Sequence, residues 1–138
     1  MMITQDFSGF IKKLEDLQAD VDSACKKVVN RAVNEGMART IKDTPTNKSP
    51  YVIGGTLEKG WIQNKTKKSS DSWVGGYSNN VFYGIYVNYG HRKKDKSGKT
   101  IGYQPGKFFL ESGITYAQGH IDSYFHEELE KIRRKRGL

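Results

Sequence analysis

One apolar stripe dominates the first third of the chain and predicts a very long helix. Pro45 disfavours the helical conformation at Thr44 and marks where the helix ends. A helix over about 7–42 would be roughly 50 Å long. The radius of gyration expected for a chain of this size is only about 14 Å. The helix must therefore project from the domain, kink near Gly36 or pack against another subunit. The stripe recurs at steps of three and four; its members are Phe7, Phe10, Ile11, Leu14, Leu17, Val21, Ala24, Val28, Ala32, Met37 and Ile41.

Composition favours one basic domain. The chain has 138 residues, of which 36% are hydrophobic and 12% aromatic. It can therefore bury a core, whereas each half alone would be near the lower limit for independent folding. The formal net charge of +8 is uneven, because residues 61–138 carry 14 basic and 7 acidic side chains while residues 1–60 carry 9 and 8. The excess charge favours a polyanionic or acidic partner that meets the second half.

Strands and a second helix are predicted after the long helix. Residues 61–67 and 72–77 read as strands joined by a polar turn, and Gly75-Gly76 predicts a β-bulge or a close backbone approach. Residues 81–89 fit either a strand or a short helix, because periodicity does not separate the two over so short an apolar run. The last helix is predicted from a stripe of Leu110, Ile114, Ala117, Ile121, Phe125, Leu129 and Ile132.

The predicted fold class is α+β, with a small antiparallel β-sheet packed against a long N-terminal helix and a C-terminal helix. All 138 residues form a single domain in this interpretation. Its parts, in order, are a helix at about 7–42, a β-region at about 51–90, a basic loop at 91–100 and a C-terminal helix at about 107–135.

The sequence contains no pattern of residues typical of catalysis. Cys25 is the one cysteine and reads as a small buried hydrophobic residue, which also fits a reducing compartment. His120 and His126 are six residues apart and do not share a helical face, which makes them poor metal ligands. We therefore expect no enzyme, no cofactor and no metal. We also expect no membrane association, because neither a secretion signal nor an apolar run of about 18 residues is found.

Two basic segments are candidate docking surfaces. One lies in the predicted loop, and the other ends the last helix, where cations are favoured by the helix dipole. Each can contact an acidic protein, follow a nucleic-acid backbone, or simply be a solvated face. The candidate residues are Arg92, Lys93, Lys94, Lys96 and Lys99 in the loop, and Arg133, Arg134, Lys135 and Arg136 at the C-terminus.

Three short blocks carry the most specific pattern. Residues 81–91 read VFYGIYVNYGH, residues 104–110 read QPGKFFL, and upstream stand Pro50, Gly54-Gly55, Leu57 and Trp61. In order and spacing they resemble the YA-x-YVE-aromatic-GT, PFL-x-x-A and P-x-x-TG-x-L-x-x-S/G-W blocks of the gene-ten-like tail components, a family of small tail-completion proteins of long-tailed bacteriophages. The chain departs from these blocks at Gly84, Asn88, His91 and Phe108.

The resemblance implies packing or interface roles for the matching residues. Tyrosines suit such roles because they offer contact area together with a hydroxyl. A tight turn is expected at Gly90, and residues 108–110 are expected to anchor the last helix on the sheet. The residues concerned are Gly55, Leu57, Trp61, Tyr83, Tyr86, Val87, Gly90, Phe108, Phe109 and Leu110.

The resemblance also implies a function in the virion of a phage or prophage, with assembly in the bacterial cytoplasm. The protein would complete or terminate the tail and join it to the capsid neck, with other tail or neck proteins as partners. Association into a homo-oligomeric ring of six subunits is implied, and the free protein can be monomeric before assembly. The alternative is a small basic nucleic-acid-binding protein that uses the same basic segments.

Overall fold

The computed structural model describes residues 6–46 and 54–138, so the first five residues and Pro50 lie outside the described ranges. Two long helices and small antiparallel sheets confirm the predicted α+β class. The elements are α1 (Ser8–Asp43), α2 (Thr56–Lys59), β1 (Trp61–Ser69), β2 (Ser72–Asn79), α3 (Gly84–Tyr89), β3 (Gly90–Lys94), β4 (Thr100–Pro105) and α4 (Phe109–Arg136).

The core lies between α1 and α4, which run antiparallel. Gly36 lies against Gly113 near one end of the pair, and Arg136 binds Asp20 near the other. Small and apolar residues of α1 face α4 along this length, as the helical stripe predicts for its middle part. The buried residues of the two helices are Ala24, Val28, Ala32, Gly36, Thr40, Phe109, Gly113 and Tyr124.

The stripe predicted for α4 is correct at Ala117 and Phe125, which pack against the core, and wrong at Ile114 and Ile121. Ile114 and Ile121 are 40% and 38% exposed, whereas Phe109 and Tyr124 are 2% and 4% exposed. The reason is the close approach of the two helices, because a Cβ on Gly36 would lie only 3.0 Å from the Gly113 carbonyl oxygen. The face of α4 that carries Gly113 therefore turns toward α1, and Ile114 and Ile121 lie at the edge of the contact.

The long helix is confirmed and ends as predicted. Thr44 has extended backbone angles (φ −68°, ψ 123°), which the following Pro45 favours. α1 continues through Gly36 without interruption and is about 54 Å long. Cys25 is partly exposed rather than buried, which corrects its interpretation as a small buried hydrophobic residue. It lies beside the buried Ala24, on the flank of the stripe rather than at its centre.

The β1–β2 hairpin packs on α1. Asn64 pairs with Gly76 and Lys67 with Val74, so two residues of β1 oppose Gly75 alone. This is the predicted bulge, although the extra residue lies on the strand opposite the glycines. The close approach is confirmed as well, because a Cβ on Gly75 would lie 2.9 Å from a methyl group of Val33 on α1.

The segment predicted as a basic loop at 91–100 is instead mostly a second β-hairpin. β3 pairs with β4 from Gly90↔Pro105 to Lys94↔Thr100. The turn is closed by the Asp95 carboxylate, which accepts hydrogen bonds from the backbone N–H groups of Ser97 and Lys99 at 2.9 Å each. Charged side chains suit two exposed edge strands, which need no alternating apolar pattern. The β-region predicted at about 51–90 likewise contains two short helices, α2 and α3.

Candidate assembly surfaces

An exposed aromatic patch surrounds α3. The segment 81–89, which fitted a strand or a helix, forms a turn followed by α3. Its outward side chains are large and uncovered, since Phe82 is 85% exposed and Ile85 60%. Such residues are rarely clustered on the surface of a monomer without a binding role. The aromatic patch consists of Phe82, Ile85, Tyr86, Tyr89 and Phe108.

A groove opens beside the aromatic patch. Its volume is about 430 Å³. Leu57 and Phe109, which are 4% and 2% exposed, and the half-buried Trp61 belong to its lining, and the Trp61 and Phe109 rings meet edge to face at 6.0 Å. Phe82 and Ile85 of the patch line it as well. The structure thus brings residues of all three sequence blocks to one place.

The remaining block residues lie around this groove. Gly55 precedes α2 with φ +91°, and Leu110 lines the groove. The Tyr83 ring meets Phe82 edge to face at 5.4 Å, and the Val87 carbonyl accepts a hydrogen bond from the Lys107 N–H at 3.1 Å. Phe109 is buried as an anchor should be, whereas Phe108 is 51% exposed, in a left-handed conformation with φ +49°.

Asn88, which in the sequence is only a departure from the family block, has a structural role in positioning α4. It is 3% exposed. Its Oδ1 accepts a hydrogen bond from the Leu110 N–H at 3.1 Å, and its Nδ2 donates to Oε2 of Glu111 at 2.8 Å. Because the first N–H groups of a helix have no partner within the helix, Asn88 acts as a cap for α4 supplied from α3. The signal available in the sequence for this role is a lone amide side chain within the apolar and aromatic segment 81–89.

We expect Asn88→Ala to lower the free energy of unfolding by about 1–2 kcal/mol, because the Leu110 N–H and the Glu111 carboxylate lose their partner. Urea unfolding followed by circular dichroism measures the change. Asn80→Ala is the control, because Asn80 is exposed and lies outside α3. Equal stability of the two variants would contradict the capping role.

Gly90 lets the chain turn from α3 into the second hairpin. Its φ is +95°, a conformation that glycine adopts without strain. A Cβ at this position would also lie 2.6 Å from the Gln104 carbonyl oxygen. The hairpin base is held further by the hydrogen bond from the Tyr103 hydroxyl to the Tyr89 carbonyl at 2.9 Å. Residues 90–105, here called the basic arm, are therefore attached firmly at their base.

The cations of the basic arm have no ion-pair partner among the described residues. All five predicted docking residues of this segment, Arg92, Lys93, Lys94, Lys96 and Lys99, are exposed. The one carboxylate nearby, Asp95, is occupied by the turn, and its hydrogen bonds to Ser97 and to the Lys99 N–H hold the pKa of Asp95 below its ordinary value. The arm therefore presents uncompensated positive charge.

The basic C-terminal segment differs, because its cations are paired within the chain. Arg136 donates to the Asp20 carboxylate at 2.7 Å, and Lys135 lies 3.6 Å from the same carboxylate. Arg133 and Arg134 both pair with Glu130. The two contacts with Asp20 hold the end of α4 against α1, whereas the two contacts with Glu130 lie within α4. Of the two predicted docking segments, only the arm keeps its charge free of partners among the described residues.

We expect acid to weaken the attachment of α4 to α1. The Arg136 hydrogen bond, with a smaller contribution from Lys135, lowers the pKa of Asp20. Its stabilising effect is complete above the ordinary carboxyl pKa near 4 and is lost as the pH falls through the lower folded-state value. Thermal melts between about pH 5 and about pH 3 should show a falling Tm, with a shallower slope for Asp20→Asn. Asp122→Asn, which changes an exposed carboxylate, should keep the wild-type slope; a wild-type slope for Asp20→Asn would contradict the assignment.

The first two turns of α1 project beyond the rest of the fold. Arg136 in the last turn of α4 reaches Asp20, and its guanidinium also lies 3.4 Å from the Asp16 carbonyl. Residues 7–15 therefore extend past the end of α4. The overhang, as we call residues 7–14, exposes four members of the apolar stripe by 50–60%: Phe7, Phe10, Ile11 and Leu14. Projection, one of the outcomes predicted for the long helix, is therefore observed in the single chain.

The described residues supply neither a metal site nor a membrane span. No three histidine, cysteine, aspartate or glutamate residues among them lie close enough to share an ion. Within the same ranges, no helix combines the length and apolar character needed to cross a bilayer.

Comparison with known families places the chain. Residues 8–90 match the HK97-gp10-like family, described as "Bacteriophage HK97-gp10, putative tail-component". The match covers more than half of the chain, from α1 through α3, and ends before the rest of the basic arm and α4. Searches of curated proteins and of solved structures give no match. The resemblance in the sequence blocks is thereby confirmed at the level of the family, and the chain belongs to the HK97-gp10-like family of bacteriophage tail components.

Proposed function

We propose that this chain is a structural protein of the head–tail connection of a phage or prophage virion. It completes or terminates the tail and joins it to the capsid neck, acting through ring assembly, with six subunits as the resemblance implies. Its partners are further copies of itself and neighbouring tail or neck proteins. It performs no catalysis in this role, and it is assembled in the bacterial cytoplasm before it becomes part of the virion.

The observation that carries this proposal is the amount of uncovered surface. The chain exposes 10575 Å², whereas a compact monomer of 15.7 kDa exposes about 7,300 Å². The twelve residues outside the described ranges account for about 2,000 Å² at most, because that is the surface of a fully extended segment of this length. At least about 1,300 Å² of excess remains, comparable to what one subunit buries in one or two standard interfaces. This surplus favours a subunit of an assembly.

The uncovered surface is of two chemical kinds. The aromatic patch and the overhang are apolar, as in the core of an interface between subunits. The basic arm is cationic and suits an acidic surface on a neighbouring protein ring, where charge complementarity sets orientation and the rate of association. Subunit contacts and contacts to other rings can therefore use separate parts of the molecule.

Removal of three charges from the arm should impair joining and leave folding unchanged. We expect Lys93→Ala, Lys94→Ala and Lys96→Ala combined to change the free energy of unfolding by less than about 0.5 kcal/mol, because all three side chains are exposed. The affinity for the neighbouring ring should fall about tenfold if the lost docking costs about 1.4 kcal/mol, and the titre of complemented phage should fall as a result.

The matched control removes the same charge elsewhere, from the exposed Lys59, Lys65 and Lys67. It should keep the wild-type titre. An equal loss of titre in the two triple variants would show that the titre depends on the net charge of the protein, and would contradict a docking role of the arm.

Deletion of the gene from the phage or prophage, followed by negative-stain electron microscopy of the lysate, tests the proposed function. DNA-filled heads beside unattached tails of normal length would support a role at the joint, and tails of uncontrolled length a role as terminator. Normal infectious particles would overturn both.

A second candidate function, nucleic-acid binding, is favoured by one feature of the arm. Arg92 and Tyr103 are directly opposite each other on paired strands and so share a face, which combines charge with an aromatic surface. Binding to phosphates would fall with salt, with a slope in log affinity of about 0.9 for each duplex phosphate contacted. Absence of DNA and RNA binding at about 50 mM salt would eliminate this candidate.

A further inference from the structure

We propose that the overhang of one subunit docks into the groove of a second copy, so that subunits associate head to tail. This inference rests on the proposed ring assembly and names the surfaces that form it. The donor surface is the overhang, residues 7–14 of α1. The acceptor surface is the groove together with the adjoining aromatic patch.

The overhang has the form of a helix that binds in a groove. Its exposed apolar residues Phe7, Phe10, Ile11 and Leu14 follow the spacing i, i+3, i+4 and i+7, which is the anchor pattern of helix-in-groove recognition. They continue the stripe that α4 covers further along α1. The last turn of α4 reaches only as far as Asp16, so α4 does not cover the four overhang residues. About 12 Å of amphipathic helix therefore packs against no other element among residues 6–46 and 54–138, and it is available to a partner.

The groove offers a matching acceptor. Its volume of about 430 Å³ lies in the range of pockets that hold large apolar groups. Leu57, Trp61 and Phe109 line it, and the patch residues Phe82 and Ile85 line it while 85% and 60% exposed themselves. Aromatic residues around a preformed apolar hollow are typical of the energetically dominant part of an interface.

The overhang cannot reach the groove of its own chain. The Trp61 indole, which lines the groove, donates a hydrogen bond to the Thr44 hydroxyl at 3.0 Å, which fixes the groove at the C-terminal end of α1. The overhang is at the other end of the same continuous helix, and Phe7 and Thr44 are separated by about 55 Å. The two complementary surfaces therefore lie at opposite ends of an elongated subunit.

This arrangement identifies a second copy as the occupant. Each subunit carries one donor and one acceptor surface. When two subunits associate, the pair keeps a free overhang at one end and a free groove at the other. Such a heterologous contact continues until the rotation between subunits closes a ring. Two such contacts per subunit would bury about 1,600 Å² of its surface if each is of standard size. This area is similar to the excess surface of at least about 1,300 Å².

Cysteine crosslinking in assembled particles tests the contact. The native thiol is removed by Cys25→Ser, and Leu14→Cys is paired with Ile85→Cys in the same chain. Phage deleted for the gene are complemented with this variant, purified and oxidised. We expect covalent dimers and a ladder of higher multimers on a denaturing gel, at least tenfold more abundant than with Leu14→Cys alone.

A matched variant keeps the test specific. Leu14→Cys with Ile121→Cys places the second thiol on another exposed isoleucine, at the edge of the α1–α4 contact and away from the groove. Crosslinking from this pair, or from Leu14→Cys alone, in amounts equal to the 14–85 pair would overturn the inference. Particles that contain the chain and show no 14–85 crosslink would overturn it too, and leave the proposed function standing. Failure of the proposed function has a different signature, namely infectious particles without the chain.

Discussion

Gly113→Ala should destabilise the protein by about 3 kcal/mol or more. A Cβ at Gly113 would overlap the Thr40 hydroxyl and the Gly36 carbonyl oxygen, and would lie 2.5 Å from the Tyr77 hydroxyl. The carbonyl belongs to the backbone of α1 and cannot rotate away, so α1 and α4 must separate along their buried contact. This loss exceeds the gain of about 1 kcal/mol that alanine normally brings to a helix interior. Urea unfolding gives the change directly.

Gly119→Ala is the matched control in the same helix. Apart from Gly119 itself, its two chain neighbours and the adjacent backbone of α4, no atom of the described residues lies within 4 Å of where a Cβ at Gly119 would be. The variant should therefore gain about 0.5–1 kcal/mol of stability, because the flexibility of glycine in the unfolded chain is reduced. The opposite signs of the two changes follow from the helix contact. Stabilisation by Gly113→Ala would show that α1 and α4 do not approach as described.

Phe109→Ala should cost about 3–5 kcal/mol, a large part of the 5–15 kcal/mol that stabilises a typical domain. The ring is 2% exposed and packs edge to face on Trp61 at 6.0 Å, so its removal leaves a cavity between α4 and the β1–β2 hairpin. Thermal and urea unfolding should both move to milder conditions.

The neighbouring Phe108→Ala separates folding from assembly. Phe108 is 51% exposed in the aromatic patch, so we expect its loss to change stability by less than about 1 kcal/mol. Its effect should instead be a lower titre of complemented phage. A cost to folding equal to that of Phe109→Ala would contradict the assignment of the two side chains to core and surface.

The sequence predicts those parts of the fold that a local pattern of residues determines by itself. The spacing of the apolar stripe and Pro45 define α1, and the paired glycines indicate the bulge that brings β2 onto it. The blocks around Trp61, Tyr83 and Phe109 contain the residues that meet at the groove. Here local pattern and tertiary contact agree.

The rest depends on relations between elements that no local pattern contains. The register of α4 is decided by the contact of Gly36 with Gly113, which outweighs the larger apolar area of Ile114 and Ile121. The hairpin of the basic arm was not predicted, because two exposed strands have no buried face and therefore show no alternation of apolar and polar residues. The overhang could be identified only by comparing the 36 residues of α1 with the 28 of α4.

A cryo-electron microscopy reconstruction of the head–tail junction tests the central claim most directly. The account predicts a ring of copies of this chain at the junction, recognisable by the antiparallel α1–α4 pair, with the overhang of each subunit in the groove of the next. A junction without the chain, or its location only at the distal end of the tail, would contradict the account.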